Sequence, residues 1–499
     1  MNAPEEIHIP LTPFDHIVPR AYFNAAFYFP LKSGVTPTEA FKYLHEALHR
    51  TFICLPWLSG TVCAQSPDTR GWRPGQAEIR YNPVIPIDDP WPHQLKFQEL
   101  SDDYDISYDD LKDSGFPVDA FRDQDLVWCP SFFADADQNP DVFVAQANFI
   151  PGCCIVTAAV CHLASDQTAF TQIFKLWADN CSALQRQSNQ ILDLPAESSD
   201  RGLIERLWNK ECKVKDAADV DPMTWMSVGL IPGDMEYDPP DMSPSVQQEK
   251  APKILKASVF YVSRAKFTEL RKETAKEAST VSGISGNDAL CALIWRCLLR
   301  ARLAARKATS EEDEEVGVAN LAMVGDARLN FASGLPPTFL GNITYLARSS
   351  LPVSKLTSRN NDNSSIGSVA ATIRSNVENI DSTKLLDIYT LLRSMPDFDR
   401  FGKWKRARAP SIYSLDMEIT SMIPFPLADI SFGDVIFGNK GMVEAMRPLM
   451  DGINQFTYLC LVLPRNRNGG VEFVANMSDQ EKGFLEEDEE FGRYVMALN

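Results

Sequence analysis

Histidine is scarce in this chain: six in 499 residues, at positions 8, 16, 45, 49, 93 and 162. None lies beyond His162, so a multi-histidine metal site would have to be built within the first third of the chain. The eleven cysteines include no CxxC spacing, which argues against a zinc ribbon or a thioredoxin-like site. They are scattered, with one vicinal pair at Cys153–Cys154, and read as small apolar core residues in a reducing compartment. Long apolar runs are missing as well. The longest, Cys153 to Cys161, is nine residues, and a membrane span needs about twice that. Positive charge is in deficit: 48 Lys+Arg against 67 Asp+Glu gives a net charge of −19. That balance argues against a nucleic-acid partner, and an anionic ligand would need a local basic patch or backbone N–H groups. The opening MNAPEEIHIPLTPFDHIVPR is acidic and proline-rich, unlike a signal or transit peptide, so a soluble cytoplasmic protein is expected.

What is present is ordinary globular composition, 44% hydrophobic and 23% charged, at a length that suggests two or three domains. Thr36 to Phe52 places Phe41, Leu44, Leu48 and Phe52 on one helical face. Val142 to Ile150 alternates like a half-buried strand, Pro151-Gly152 turns the chain, and Cys153 to Cys161 reads as a fully buried strand. A helix follows, with Phe170, Ile173, Phe174 and Trp177 on one face, ending before Asn180-Cys181. The signal then weakens, apart from a short helix near Leu203 to Trp208, until a proline- and acid-rich stretch at 235–252. This stretch reads as a linker between domains 1–234 and 253–499. Beyond it come a strand (Ala257 to Val262), an amphipathic helix (Arg264 to Lys276) and a long helix, Asn287 to Arg306. That helix ends in Arg300, Arg302, Arg306 and Lys307 before an acidic loop, Glu311 to Glu315, which reads as a solvated turn with local ion pairs. Strands at Val316 to Met323 and Phe456 to Val462 suggest a second sheet. The class is α/β or α+β.

Two places carry candidate chemistry. His45-Glu46-Ala47-Leu48-His49 fits HExxH, which on a helix sets two imidazoles one turn apart beside a Glu base. No third ligand follows in the sequence, so an amphipathic helix with polar histidines on its flank is the preferred reading. Cys161-His162-Leu163-Ala164-Ser165-Asp166 is the stronger candidate, because His162 sits where a buried strand ends and a helix begins. A neutral imidazole there can take a proton from a hydroxyl or amine at physiological pH. Asp166 could orient that imidazole, brace the corner through an arginine, or cap the helix, and His162 could be an ordinary strand-end histidine.

The HLASD corner, preceded by QANFIPG, resembles the HxxxD region of BAHD acyltransferases, in the fungal branch that includes trichothecene O-acetyltransferases. The similarity runs nearly end to end. Leu55-Pro56-Trp57-Leu58-Ser59-Gly60 is similar to the family's LP-x-LAG, and Asp326-Ala327-Arg328, Leu335-Pro336-Pro337 and Gly341-Asn342 to its D-x-R, LP and GN. Thr420-Ser421 and Phe425-Pro426 precede Ser431-Phe432-Gly433-Asp434-Val435, which falls where the family carries DFGWG. Only Phe432 and Gly433 of that motif are kept, and the family's Asp–Arg bridge there is either lost or taken over by Asp429.

The resemblance implies two similar-sized, chloramphenicol-acetyltransferase-like α/β domains with a channel between them. It implies transfer from an acyl-CoA co-substrate, with no permanently bound cofactor and no metal, to a hydroxyl of a fungal secondary metabolite. Acetyl is the expected acyl group and a monomer the expected state. His162 would be the general base and Asp166 a structural support. Thr420 and Ser421 match a position that contacts CoA, and Lys405 and Arg406, within the basic run 403–408, are candidates for its 3′-phosphate. A solvated loop is the alternative for that run. A non-acylating enzyme of the same fold, performing a cyclisation or elimination with His162, and a catalytically silent binding protein are the competing readings.

Overall fold

The computed structural model describes residues 6–83, 92–128, 136–188, 190–240, 255–278, 283–309, 317–358 and 365–498. Two mixed sheets organise it. The first has five strands in the order Ala445–Pro448, Tyr22–Pro30, Cys153–Cys161, Phe143–Ile150, Leu95–Glu99. All neighbours pair antiparallel except the last two, which run parallel. The second has seven: Thr344–Pro352, Val318–Asp326, Met417–Ser421, Leu459–Val462, Val471–Met477, Lys256–Val262 and Met496–Ala497. A small three-stranded sheet joins Ile7–Pro10, Ala77–Tyr81 and Thr61–Ala64.

The hydrophobic periods place these elements. Cys153–Cys161 lies in the interior of its sheet and is buried at every position, as its unbroken apolar run requires. Phe143–Ile150 was expected to be half-buried from its alternation, yet all of it is buried. Its polar residues are covered by a neighbouring loop and satisfied there. Gln146 Nε2 donates to the Asp125 carbonyl (2.8 Å), and Asn148 Nδ2 to the Leu126 carbonyl (2.9 Å). The helices Pro37–Cys54 and Gln167–Gln185 pack together, with Trp177 Nε1 donating to the Leu44 carbonyl (2.9 Å). The second helix runs through Asn180-Cys181 instead of ending before it. Asn180 is tolerated because its buried carboxamide bonds Thr51 and the Leu192 N–H.

Gly286–Ala308 is the long helix expected near 287–306, and it packs beneath the second sheet. Its basic end is not a solvated turn. Arg302 is buried over the Tyr458 ring (3.3 Å to its centroid), and Arg306 donates to the Tyr413 and Ser414 carbonyls. Arg300 clamps Asp488 and Glu490. The acidic stretch 311–315 and position 316 lie outside the described residues, as do 241–254 of the expected linker.

Segments after residue 252 contribute to both halves. Ala445–Pro448 adds an edge strand to the first sheet, pairing Ala445 with Tyr28. Tyr389, from helix Ser382–Arg393, packs against Phe14 and donates to Glu205 (2.9 Å). A four-residue strand such as AMRP carries no periodic signal that composition could detect.

Candidate active site

Strand Cys153–Cys161 delivers His162 to the end of the first sheet. The His162 N–H donates to the Ala21 carbonyl (2.8 Å), extending the ladder by one residue and fixing the backbone. Its Nδ1 lies 3.1 Å from the Ser165 carbonyl. A carbonyl only accepts, so Nδ1 carries the proton and the lone pair sits on Nε2. Burial lowers the imidazole pKa below 6.5, against the opposing pull of Asp166 and with help from the Lys405 cation. The ring is therefore neutral at physiological pH and able to accept a proton.

Asp166, four residues on, is buried. It caps helix Gln167–Gln185 through Ala169 N–H (3.0 Å) and accepts Arg328 Nη2 at 2.7 Å and Ile343 N–H at 3.1 Å. Arg328 is equally buried and spends its other donors on Asp326 and on the Phe339 and Gly341 carbonyls. Asn342 donates to the His162 carbonyl (2.8 Å) and to Asp15 (2.9 Å). Thus the separated D-x-R and GN segments converge on the HxxxD corner and lock its backbone. Asp166 braces the corner through an arginine and caps the helix at once.

Two supports were not foreseen from the sequence. Asp15 accepts Arg201 Nη1 (2.9 Å), the Thr12 N–H (2.7 Å) and Asn342, while Arg201 also reaches the Ala164 carbonyl. Thr12 and Asp15 form a local capping box, but the partners that tie Asp15 and Arg201 to the corner lie far away in sequence. Nearby, His16 is fully committed to structure. Its Nδ1 bonds the Thr12 carbonyl, its Nε2 accepts the Ala77 N–H, and burial pushes its pKa down to about 4.

The basic run 403–408 belongs to helix Phe398–Arg408, not to a solvated loop. Trp404 is buried and Arg406 exposed. Lys405 turns inward, where its ammonium donates to the Ile17 carbonyl at 2.6 Å and burial pushes its pKa down to about 8. Glu418, on strand Met417–Ser421, lies within electrostatic reach of Lys405 and Arg348, and burial pushes its carboxyl pKa up. His162, Lys405 and Glu418 are largely enclosed by protein, yet each keeps some accessible surface. Thr420 shares the strand face of Glu418 and is half-buried, whereas Ser421 Oγ donates to Asn287 Oδ1 (2.7 Å) at the start of the long helix.

The altered DFGWG-like segment is held without an arginine at Ser431. Ser431 Oγ donates to the Lys440 carbonyl (2.7 Å), and the Gln185 carboxamide spans the loop between the Phe432 carbonyl and the Val435 N–H. Phe432 is buried among Phe29, Phe174 and Trp177. Asp429 sits in a short 3-10 turn, and Asp434 and Val435 are exposed. The HExxH residues lie on helix Pro37–Cys54, where Glu46 pairs with Arg50 (3.3 Å) and His45 packs against Phe41. Among the described residues one group of three metal-type ligands comes together, Cys297, Asp488 and Glu490, and the Arg300 guanidinium already fills it.

A strand-end imidazole is thus braced from both halves of the chain. The Transferase family model matches residues 129–491, and the trichothecene 3-O-acetyltransferase-like N-terminal domain model matches residues 21–181. The chain belongs to the Transferase family. Among its relatives is the isocyanide synthase-NRPS hybrid crmA of Aspergillus fumigatus, 29% identical over 98% of this chain but only 31% of that protein's length. The eremophilane O-acetyltransferase ORF8 of Penicillium roqueforti is 25% identical, covering 98% of both chains. In structure the chain is similar to F. sporotrichioides TRI101 complexed with coenzyme A and T-2 (TM-score 0.72, 20% identity, 99% of this chain and 100% of that one). Vinorine synthase shares the fold at a TM-score of 0.57 and 13% identity, over 99% and 98% of the two chains.

Proposed function

We propose that this transferase is an acyl-CoA-dependent O-acyltransferase with His162 as its general base. The observation that carries the reading is the imidazole itself: neutral, its Nδ1 proton held by the Ser165 carbonyl, its Nε2 lone pair left for substrate. An acyl-CoA supplies a thioester carbonyl and a thiol leaving group. His162 Nε2 takes the proton of the acceptor hydroxyl as the oxygen attacks that carbonyl. It returns the proton to the departing sulfur, so ester and free thiol form with no net proton gained or lost. Asp166 and Arg328 move no proton; they hold the corner, and no covalent acyl-enzyme is required. The relatives named O-acetyltransferases support acetyl as the acyl group and a fungal secondary metabolite as acceptor.

On the CoA side, the reading assigns Thr420, Ser421 and the exposed Arg406; Lys405, turned inward onto the Ile17 carbonyl, is left off that side. Among the described residues no helix is long and apolar enough to cross a membrane, and we take the enzyme to work as a cytoplasmic monomer. The replacements at Ser431, Asp434 and Val435 favour one rival, a non-acylating proton transfer by the same imidazole. Two measurements decide between them. Millimolar CoA is expected to raise the melting temperature, since a ligand at 100 times its Kd adds about 2.7 kcal/mol. Metabolites of a deletion strain should then differ from wild type by one acyl group. An unchanged mass with altered connectivity, or no stabilisation by CoA, contradicts acyl transfer.

A further inference from the structure

The second sheet carries interior charges that proton transfer at His162 does not use. On strands Thr344–Pro352, Val318–Asp326 and Met417–Ser421 the two-residue period buries Ala347, Leu321, Met323, Met417 and Ile419 on one face. The other face mixes Leu346, Val324 and Ala322 with polar residues. Arg348 and Glu418 both pair in register with Ala322, so they stand in one row across three strands with only a methyl group between them. Lys405 reaches over this row from helix Phe398–Arg408, its end packed beside Gly229, whose carbonyl accepts Arg348 Nη2 at 3.2 Å. Among the described residues neither cation closes a hydrogen bond or ion pair onto Glu418, and Arg348 Nε has no partner at all.

We propose that Lys405, Arg348 and Glu418 form the acceptor subsite and that the acceptor alcohol carries a carboxylate, held by Lys405 and Arg348. This rests on the acyltransferase reading. Glu418 is not the sole acid here, since Asp416 and Asp234 also face Arg348 with Arg408 beside them; what is left unsatisfied is the buried Arg348 Nε–H, a cost that a bound anion relieves. The anion is not a phosphate of CoA. Lys405 Nζ holds the Ile17 carbonyl, four residues before Ala21, whose carbonyl accepts the His162 N–H; the thioester carbonyl must meet His162, so the CoA phosphates are a full pantetheine arm away. A carboxylate of the small substrate is within reach. Glu418 then accepts a further hydroxyl or ammonium of the same molecule. A subsite built from such groups rejects an apolar analogue strongly, because its buried charges would be left unpaired.

The test is a thermal-shift titration of the whole protein with short- and medium-chain hydroxy acids, each matched to its own methyl ester. Acids are expected to raise the melting temperature and esters not. Apparent affinity for the acid should fall about tenfold or more in both Lys405→Met and Arg348→Met, the loss of one charged hydrogen bond. CoA itself should stabilise both variants as it does the wild type. Among the described residues Lys405 makes a single hydrogen bond, so its variant stands as the test if Arg348→Met unfolds. Equal behaviour of acid and ester, or an acid shift that survives both substitutions, overturns the subsite. So does a CoA shift lost in both variants, which would give the cations to phosphate. A greater stabilisation by malonyl-CoA than by acetyl-CoA that vanishes in both variants would put the carboxylate on the acyl donor, and also overturns it. Failure of CoA to stabilise the wild type sinks the acyltransferase reading instead, whatever the acids do.

Discussion

His162 is tuned by what surrounds it more than by any single partner. Burial disfavours the imidazolium, the nearby Lys405 disfavours it further, and Asp166 opposes both. A base must be neutral to act, so kcat/KM should fall as pH drops through the lowered pKa. The midpoint of that acid limb is expected below 6.5, and in Lys405→Met it should move upward; a wild-type midpoint above 6.5 would contradict the assignment. Beneath the imidazole, the Arg328–Asp166 pair is buried on both sides, and removing one member strands the other's charge. Arg328→Met is expected to cost about 3–5 kcal/mol by urea denaturation, and Asp166→Asn made alongside it to recover part of that loss. The HxxxD corner was legible in the sequence because His162 and Asp166 stand four residues apart in one short segment. Asp15 and Arg201 were not, because they are joined to each other and to Asn342 across long stretches of chain.

At the level of elements, the periodic patterns located the main helices and strands and missed what covers them. The alternation in Phe143–Ile150 was real, but a loop at 125–126 turned its polar positions inward. The charge run at 403–408 reads as a surface feature until the helix it lies on is seen to point Lys405 and Arg406 in different directions. Glu418 was passed over although its strand, MEITS, alternates polar and apolar in the period of a half-buried strand. The degenerate DFGWG-like loop shows how a segment can lose its motif and keep a fixed shape. Gly441 has φ +73, and a Cβ there would lie 2.2 Å from the Gly433 carbonyl oxygen. Gly441→Ala should therefore destabilise by more than about 1 kcal/mol. Gly402→Ala, in a helix with nothing within 4 Å of the added methyl, should instead be neutral or stabilising by up to about 1 kcal/mol. Chemical denaturation of the two variants side by side checks the contrast.

The whole molecule is less divided than its sequence suggests. The larger hydrophobic core draws on Phe14 and Phe27 from the first half together with Tyr389, Phe432 and Met446 from the second. Ala445–Pro448 completes the first sheet, and Arg328 and Asn342 lock the HxxxD corner from the second half of the chain. Calorimetry is therefore expected to show one cooperative transition, and two resolved transitions would contradict this coupling. The net charge of −19 also takes on a sharper meaning. An acidic protein sets Lys405 and Arg348 inside, both packed at Gly229, where the proposed acceptor carboxylate would meet them.

The central claim, that His162 removes the acceptor proton during acyl transfer, is tested most directly by His162→Ala. Acyl transfer from acetyl-CoA to the native acceptor should be followed by mass spectrometry in wild type and variant, with CoA-induced stabilisation measured in parallel. The account predicts product formation lower by roughly 10²–10⁴-fold with the CoA shift unchanged. Undiminished product from the variant would contradict it.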